Sequence, residues 1–161
     1  MDWERFRLSN KLTSKILFLL SFLGILSFLN TSAQANSLKV VRVIDGDTIL
    51  ISTGETVRLI GVDTPETKHP QKAVERFGKE AYHFTKKMVE GKEVRLEFDQ
   101  RKRDKYGRLL AYVYLMDGTF VNAEIIRQGY GFAYKKHPYK YLEEFRRLER
   151  EAREQKRGLW N

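Results

Sequence analysis

The sequence predicts an α+β fold in which a small β-barrel carries three helices. Three observations support this: short segments rich in Val and Ile, turns that contain Asp and Gly between them, and longer segments whose apolar residues recur every three or four positions. The length of 161 residues allows one ordinary domain. Hydrophobic residues make up 42% of the chain, which is enough for a packed core and argues against disorder.

Three strands are predicted in quick succession at the start of this domain. They cover residues 38–44, 48–52 and 56–60, and the turns between them are Asp45-Gly46-Asp47 and Thr53-Gly54. Because both turns are short, the three strands should form an antiparallel meander.

The first helix is predicted from Glu75, because apolar residues recur at intervals of four, three and four, and Gly91 suits its C-terminal end. The residues that set this spacing are Phe77, Ala81, Phe84 and Met88. A shorter helix is expected through Arg127, with Asn122 as its cap and Gly129 beyond its end.

The last helix is predicted from apolar residues at helical spacing, which are Leu142, Phe145, Leu148 and Ala152. Its charged residues form two i,i+4 pairs, Glu143 with Arg147 and Glu149 with Arg153, which is typical of a solvated face.

Two more strands complete the sheet. Residues 94–98 alternate apolar and charged side chains, and residues 109–115 form a strand that leaves through a turn at Asp117-Gly118 into Phe120-Val121. The order of three strands, helix, two strands and two helices fits a five-stranded OB-type β-barrel with three packed α-helices.

Residues 1–35 have the features of an export signal, so we expect the folded domain to cover residues 36–161. Four basic residues precede an apolar run at 16–29, and Ala33-Gln34-Ala35 supplies a small-residue cleavage site. The run is shorter than a membrane-spanning helix requires, although an uncleaved anchor remains the alternative. The expected location is therefore secreted or periplasmic, or membrane-anchored if the signal is not cleaved.

Charge and composition limit the chemistry of the domain. The net charge of +9 favours an anionic partner such as nucleic acid, although the same charge also serves solubility. The chain has no cysteine, which excludes disulfides, thiolate zinc sites and a cysteine nucleophile. We expect surface or packing roles for His69, His83 and His137. A metal site would therefore use hard oxygen ligands and hold calcium or magnesium.

Four acidic residues at strand ends and in loops are the candidate ligands or catalysts, namely Asp45, Asp47, Asp63 and Glu66. Asp45-Gly46-Asp47 is not an EF-hand, because Leu50 and Thr56 occupy the positions that require Gly and Glu. An ordinary turn is the alternative interpretation of this segment. Pro65 restricts the backbone between Asp63 and Glu66, so the spacing of these two carboxylates should be fixed.

Basic residues near these carboxylates offer a complementary charge. Arg58 lies in the strand that leads into the Asp63 loop. A second cluster at residues 101–108 places Lys105, Tyr106 and Arg108 near one another, although a solvated basic loop would have the same composition.

Together these motifs resemble the staphylococcal nuclease family, whose members are calcium-dependent phosphodiesterases with an OB fold. The matching segments occur in family order over nearly all of residues 38–160. They are Asp45-Gly46-Asp47-Thr48, Arg58 with the segment 62–70, the segment 84–90, Asp104-Lys105-Tyr106-Gly107-Arg108 and Arg127-Gln128-Gly129. Ile126 stands where the family pattern leads one to expect valine, which is a conservative difference.

The resemblance implies a role for each matching residue. It assigns calcium binding to Asp47, Asp63 and the backbone carbonyl of Thr64, with Asp45 in support nearby. Glu66 would orient or deprotonate the attacking water. Arg58 and Arg108 would bind the scissile phosphate, since a guanidinium presents a planar fork to phosphate oxygens.

The resemblance further implies that Lys105, Tyr106 and Tyr134 contact the nucleotide. The turn at Thr53-Gly54 is shorter than in the best-known member, and no second tyrosine follows Tyr134 at the expected spacing. Tyr139 is a candidate substitute, but the spacing does not favour it.

The resemblance therefore implies a monomeric endonuclease that cleaves single-stranded DNA, double-stranded DNA and RNA and leaves 3'-phosphate ends. The alternatives are a non-catalytic nucleic-acid-binding OB module and a surface protein whose carboxylates bind calcium only for stability.

Overall fold

A closed five-stranded barrel forms the centre of the computed structural model, which describes residues 37–66 and 77–161. The barrel strands in chain order are β1 Leu38–Asp45, β2 Thr48–Ile51, β3 Thr56–Leu59, β5 Glu93–Glu97 and β6 Leu109–Leu115. A separate pair of two-residue strands, β4 Val62–Asp63 and β7 Phe132–Ala133, lies beside the barrel. The export signal expected at residues 1–35, the helix start expected at Glu75 and the expectation for His69 lie outside the described residues.

The barrel closes in the order β1-β2-β3-β6-β5, with β5 pairing back to β1. All neighbours are antiparallel except β3 and β6, where Arg58 lies opposite Leu110 in parallel register. Closure leaves no free sheet edge in the barrel. This architecture confirms the α+β fold and the five-stranded barrel predicted from the sequence.

Three helices pack around the barrel, as predicted. They are α1 Gly78–Val89, α2 Val121–Arg127 and α3 Leu142–Glu154, and a short 3₁₀ helix Gly158–Trp160 follows them. Helix α1 packs on β1, while α2 packs on β6 and on α3. Gly91 and Gly129 lie just beyond the ends of α1 and α2 with positive φ angles of 77° and 74°, which confirms their predicted positions.

The buried face of α1 differs from the predicted one. Ala81, Thr85 and Val89 are buried at a strict spacing of four, while Phe84 and Met88 are only partly buried. The predicted face is confirmed in part, because Ala81 is fully buried and Phe84 and Met88 pack against the core, whereas the burial of Thr85 and Val89 was not predicted.

The pair β4–β7 was not predicted from the sequence. Its register places Val62 opposite Ala133 and Asp63 opposite Phe132. Two-residue strands show no measurable alternation, and their pairing depends on contacts distant in sequence. This pair positions Asp63, a candidate metal ligand.

Asn122 does not cap α2, contrary to the prediction. The helix begins at Val121, so Phe120-Val121 is not a continued strand either, although Phe120 bridges Tyr114. The fully buried Asn122 side chain accepts a hydrogen bond from the Val113 N–H at 2.9 Å. Its amide nitrogen donates to the carbonyls of Ile60 at 2.9 Å and Ala111 at 3.3 Å. Asn122 therefore joins α2 to the barrel.

Glu149 on α3 was predicted to lie on a solvated face, but only 5% of it is exposed. Its carboxylate pairs with Lys135 at 3.0 Å and with Arg153 at 3.3 Å. The pair with Arg153 was predicted, whereas the pair predicted between Glu143 and Arg147 is replaced by Glu143–Arg146 and Arg147–Glu151. Glu149 is buried because it adjoins the core residue Leu148 and lies one turn from the core residues Phe145 and Ala152.

Within residues 37–66 and 77–161, none of the helices combines the length and the apolar character needed to cross a membrane.

Replacing Asn122 with alanine should lower the free energy of unfolding by about 2 to 4 kcal/mol, because buried backbone groups of β6 and Ile60 would lose their partners. Urea unfolding at neutral pH measures the change. The exposed Asn161→Ala is the control and should remain within about 0.5 kcal/mol of the unaltered protein. Equal stability of the two variants would contradict the joining role of Asn122.

Candidate active site

The carboxylate of Asp47 is the most highly connected group at one end of the barrel. Asp47 lies in the turn between β1 and β2 and is only 6% exposed. Its Oδ1 accepts a hydrogen bond from Thr48 Oγ1 at 2.8 Å. Its Oδ2 accepts hydrogen bonds from the Thr64 N–H and the Thr64 hydroxyl, both at 3.1 Å. These bonds fix the carboxylate against the loop that carries Asp63.

Gly46 is required for this close approach of the two loops. A Cβ atom at position 46 would lie 2.7 Å from Thr64 Oγ1, which is closer than real contacts allow. The Gly46 carbonyl accepts a hydrogen bond of 2.6 Å from Thr85 Oγ1, and Thr85 is fully buried on α1. Asp45-Gly46-Asp47 is thus a turn, as the alternative interpretation held, and it is also packed against the Thr64 loop and anchored to a helix.

Arg58 on β3 lies between the two candidate metal ligands. Its Nη2 lies 3.0 Å from Asp47 Oδ2 and 3.3 Å from Asp63 Oδ1. Its Nη1 donates to the Val62 carbonyl at 2.6 Å and to the Leu59 carbonyl at 3.2 Å. Because four acceptors surround the guanidinium, its plane is fixed relative to both carboxylates.

Arg108 is held by the preceding acidic residue in the basic loop. Asp104 accepts hydrogen bonds from Arg108 Nε at 2.7 Å, from the Arg108 N–H at 3.0 Å and from the Tyr106 N–H at 2.9 Å. Burial by itself raises the pKa of Asp104, but these hydrogen bonds outweigh it and hold the pKa below its ordinary value. Asp104 therefore remains ionised and holds Arg108 at neutral pH.

Lys105, Tyr106 and Arg108 lie near one another, as predicted. The Tyr106 ring is 71% exposed, with Lys105 Nζ 5.0 Å and the Arg108 guanidinium 5.4 Å from its centre. An exposed aromatic ring flanked by two cations is suited to stacking on a base next to a phosphate.

The strand register brings Arg58 and Arg108 to one face of the barrel. Arg58 lies opposite Leu110, and Arg108 precedes Leu110 by two positions. Side chains alternate along a strand, so residues two apart point the same way. Val57, Leu59 and Leu109 are buried in the barrel, which leaves the arginines on the outer side.

Tyr134 follows β7 directly, and its N–H donates to the Gly61 carbonyl at 2.9 Å. This bond places Tyr134 beside the start of β4, the strand that carries Asp63. Tyr139, in contrast, is partly buried with its ring packed against the core: the ring lies 5.6 Å from that of Phe145, and burial raises the pKa of its hydroxyl. Tyr139 is therefore not placed to stack on a nucleotide.

Asp45 and Glu66 flank the cluster in sequence. Asp45 ends β1, and its Oδ1 accepts a hydrogen bond from the Gly46 N–H at 2.9 Å. Glu66 is partly buried and lies two positions after Thr64. Their roles stay predictions, as do those of the other site residues.

Two carboxylate oxygens of the cluster are of the ligand type that a hard divalent cation takes. Asp47 Oδ2 and Asp63 Oδ1 both face the same nitrogen of Arg58, so two anionic oxygens converge on one point. Within residues 37–66 and 77–161, no three or more Asp, Glu, His or Cys side chains form a group that could hold a metal ion. A cation here would therefore need backbone carbonyl and water ligands, which calcium readily accepts. Arg58 would also have to move, because its Nη2 contacts both oxygens.

Comparison of the sequence with known proteins adds evidence that is independent of this geometry. Residues 56–161 match the model of the staphylococcal nuclease homologue family. The chain is 41% identical over 135 residues to the thermonuclease of Staphylococcus hyicus, which covers 81% of this chain and 79% of that protein. It is 44% identical to the thermonuclease of Staphylococcus intermedius, with 81% and 80% covered.

The chain belongs to the staphylococcal nuclease family.

A third relative, the endonuclease YncB of Bacillus subtilis strain 168, is 45% identical over 126 residues, which cover 74% of this chain and 59% of YncB. The resemblance inferred from the motifs is thereby confirmed. The protein is a nuclease, a hydrolase that acts on nucleic acid.

Thr85 is the site residue that sequence analysis missed. The available signal was its position on the helix face that meets the barrel, four positions from Ala81 and four from Val89. Its partner, the Gly46 carbonyl, lies 39 residues away and gives no signal of its own.

Replacing Thr85 with valine should lower the free energy of unfolding by about 1 to 3 kcal/mol, because the buried Gly46 carbonyl would lose its hydrogen-bond donor while the side-chain volume stays the same. Chemical unfolding of Thr85→Val and Thr85→Ser measures the effect. The Thr85→Ser variant keeps the hydroxyl, so its free energy of unfolding should fall less than that of the Thr85→Val variant. A valine variant as stable as the unaltered protein would show that the hydroxyl does not anchor the turn.

Proposed function

We propose that this nuclease is a calcium-dependent endonuclease that hydrolyses phosphodiester bonds in single-stranded DNA, double-stranded DNA and RNA with little sequence preference, leaving 3'-phosphate ends. The observation that supports this most directly is the position of Arg58 between Asp47 and Asp63, on the same barrel face as Arg108. The proposed cation ligands and phosphate-binding groups would thus lie close together.

The two arginines account for phosphate binding. A guanidinium donates two parallel hydrogen bonds to phosphate oxygens and keeps its charge at any physiological pH. Negative charge grows on these oxygens as a nucleophile attacks phosphorus, so fixed arginines stabilise the transition state more than the ground state. Asp104 holds Arg108 in place, and the carbonyls of Leu59 and Val62 hold Nη1 of Arg58. Nη2 of Arg58 would leave Asp47 and Asp63 when the cation binds and would then be available to phosphate.

Asp47, Asp63 and the backbone carbonyl of Thr64 would hold the calcium ion, with Asp45 supporting the turn from outside. When bound, calcium would neutralise phosphate charge and favour a deprotonated attacking water. Glu66 would orient that water or accept its proton, and it lies two positions from a ligand on a loop restricted by Pro65.

The nucleotide-binding residues support a broad substrate range. Lys105 supplies a positive charge for phosphate, while Tyr106 and Tyr134 supply rings for stacking, which does not discriminate strongly among bases. The folded domain would act as a monomer. It would act outside the cytoplasm if the segment 1–35 directs export, and the intact mass of the exported protein would show whether cleavage precedes Asn36.

Hydrolysis of a labelled single-stranded DNA in calcium should stop when a chelator is added and return when excess calcium is restored. Gel electrophoresis of the products measures this, and a phosphatase-sensitive 3' end on each product tests the proposed cleavage position. Undiminished cleavage in chelator would refute calcium dependence, although the nuclease activity itself would stand.

Glu66→Gln and Arg58→Lys should each lower turnover by roughly 10² to 10³, because the first removes a charged proton acceptor and the second removes the planar fork but keeps the charge. Steady-state rates measure the loss, and circular dichroism checks the fold. The matched controls, Glu154→Gln and Arg150→Lys, alter exposed residues of α3 and should retain full turnover. Near-normal turnover of both site variants would refute the assigned roles.

A further inference from the structure

A groove of about 720 Å³ lies between β1 and the C-terminal end of α1. Its lining includes three lysines, Lys39, Lys86 and Lys87, together with Val41 and Glu90. None of these residues belongs to the candidate active site. The question is which ligand such a groove suits.

Hydrogen bonds hold the two walls of the groove in place. The Gly91 N–H donates to the Val40 carbonyl and the Val40 N–H donates to the Lys92 carbonyl, both at 2.9 Å. The Glu90 carboxylate accepts the Val43 N–H at 2.9 Å. The groove is therefore a fixed feature of the barrel surface.

The charges of the groove leave it positive. Glu90 pairs with Lys86 at 3.3 Å, which neutralises one ammonium group. Within the described part of the chain, Lys39 and Lys87 form no ion pair, and both are exposed. Val41 shares the exposed face of β1 with Lys39 and is itself 52% exposed, so an apolar contact lies beside the charges.

The two elements that form the groove, β1 and α1, both also reach the candidate active site. Strand β1 ends at Asp45, and Thr85, which precedes Lys86, donates its hydrogen bond to Gly46. The six steps from Lys39 to Asp45 span about 20 Å of strand. That distance corresponds to roughly six nucleotides of stacked single strand at about 3.4 Å each.

We propose that the groove binds the phosphate backbone of a polynucleotide strand, several nucleotides away from the bond that is cleaved. The proposal rests on the proposed nuclease site and extends it to long substrates. An open groove with two unpaired ammonium groups, formed by a strand and a helix that both also reach the proposed cleavage site, suits a nucleic-acid strand.

The test compares two substrates in two charge-matched variants. Lys39→Glu with Lys87→Glu reverses the groove charge, and Arg150→Glu with Lys156→Glu makes the same net change at exposed positions on and just after α3. The groove variant should raise KM about tenfold or more for a single strand of about twenty nucleotides. Its kcat, and its KM for a trinucleotide, should remain unchanged.

A second readout does not depend on cleavage. Fluorescence anisotropy of the labelled long strand in chelator should show weaker binding by the groove variant, and the slope of log Kd against log salt should fall by about 1.4, which is two phosphate contacts at about 0.7 each. If the unaltered protein cleaves nothing yet this difference persists, the proposed function fails while the groove assignment stands.

Four outcomes would overturn the groove assignment. One is an equal KM change in both variants, and another is an equal change for both substrate lengths. The third is unchanged strand affinity together with lost binding to phosphatidylserine vesicles, which would assign the groove to a membrane surface. A loss of stability without a change in KM would mean that Lys87 only offsets the negative end of the α1 dipole.

Discussion

The buried carboxylate of Asp47 is the group on which the rest of the site depends. It receives hydrogen bonds from the Thr48 and Thr64 hydroxyls and from the Thr64 N–H, and it pairs with Arg58. Burying a carboxylate is costly unless it is paired and hydrogen-bonded. The surrounding loops are therefore constrained to keep these donors in place.

Support for the site comes from parts of the chain that carry no catalytic residue. Thr85 anchors the Gly46 turn from α1, Asn122 joins the barrel to α2 through the Ile60 carbonyl, and β7 holds Asp63 through strand pairing. Glu149, in turn, pairs with Lys135 next to Tyr134. The helices thus position the loops, and the barrel positions the arginines.

Sequence patterns were sufficient for the five barrel strands and the three helices, but not for their contacts. Residues 109–115 were predicted with correct bounds, because a continuous apolar run between turns has few alternatives. The motifs also singled out Asp47, Arg58 and Arg108 as candidate site residues, and their roles stay predictions. The surroundings of Asn122 and Glu149 were predicted wrongly. A polar residue near a helix end, or at the edge of the buried face of a helix, has the same sequence pattern whether its side chain contacts water or the core. Strands β4 and β7 were missed, because each is too short to show a period.

The parallel pairing of β3 with β6 links segments that are far apart along the chain, since Arg58 meets Leu110 only when the barrel is closed. Contacts of such high sequence separation require the loop-closure entropy between their segments to be overcome. Arg58 and Arg108 are therefore brought near one another by the tertiary pairing of two strands, and not by their own neighbours in sequence.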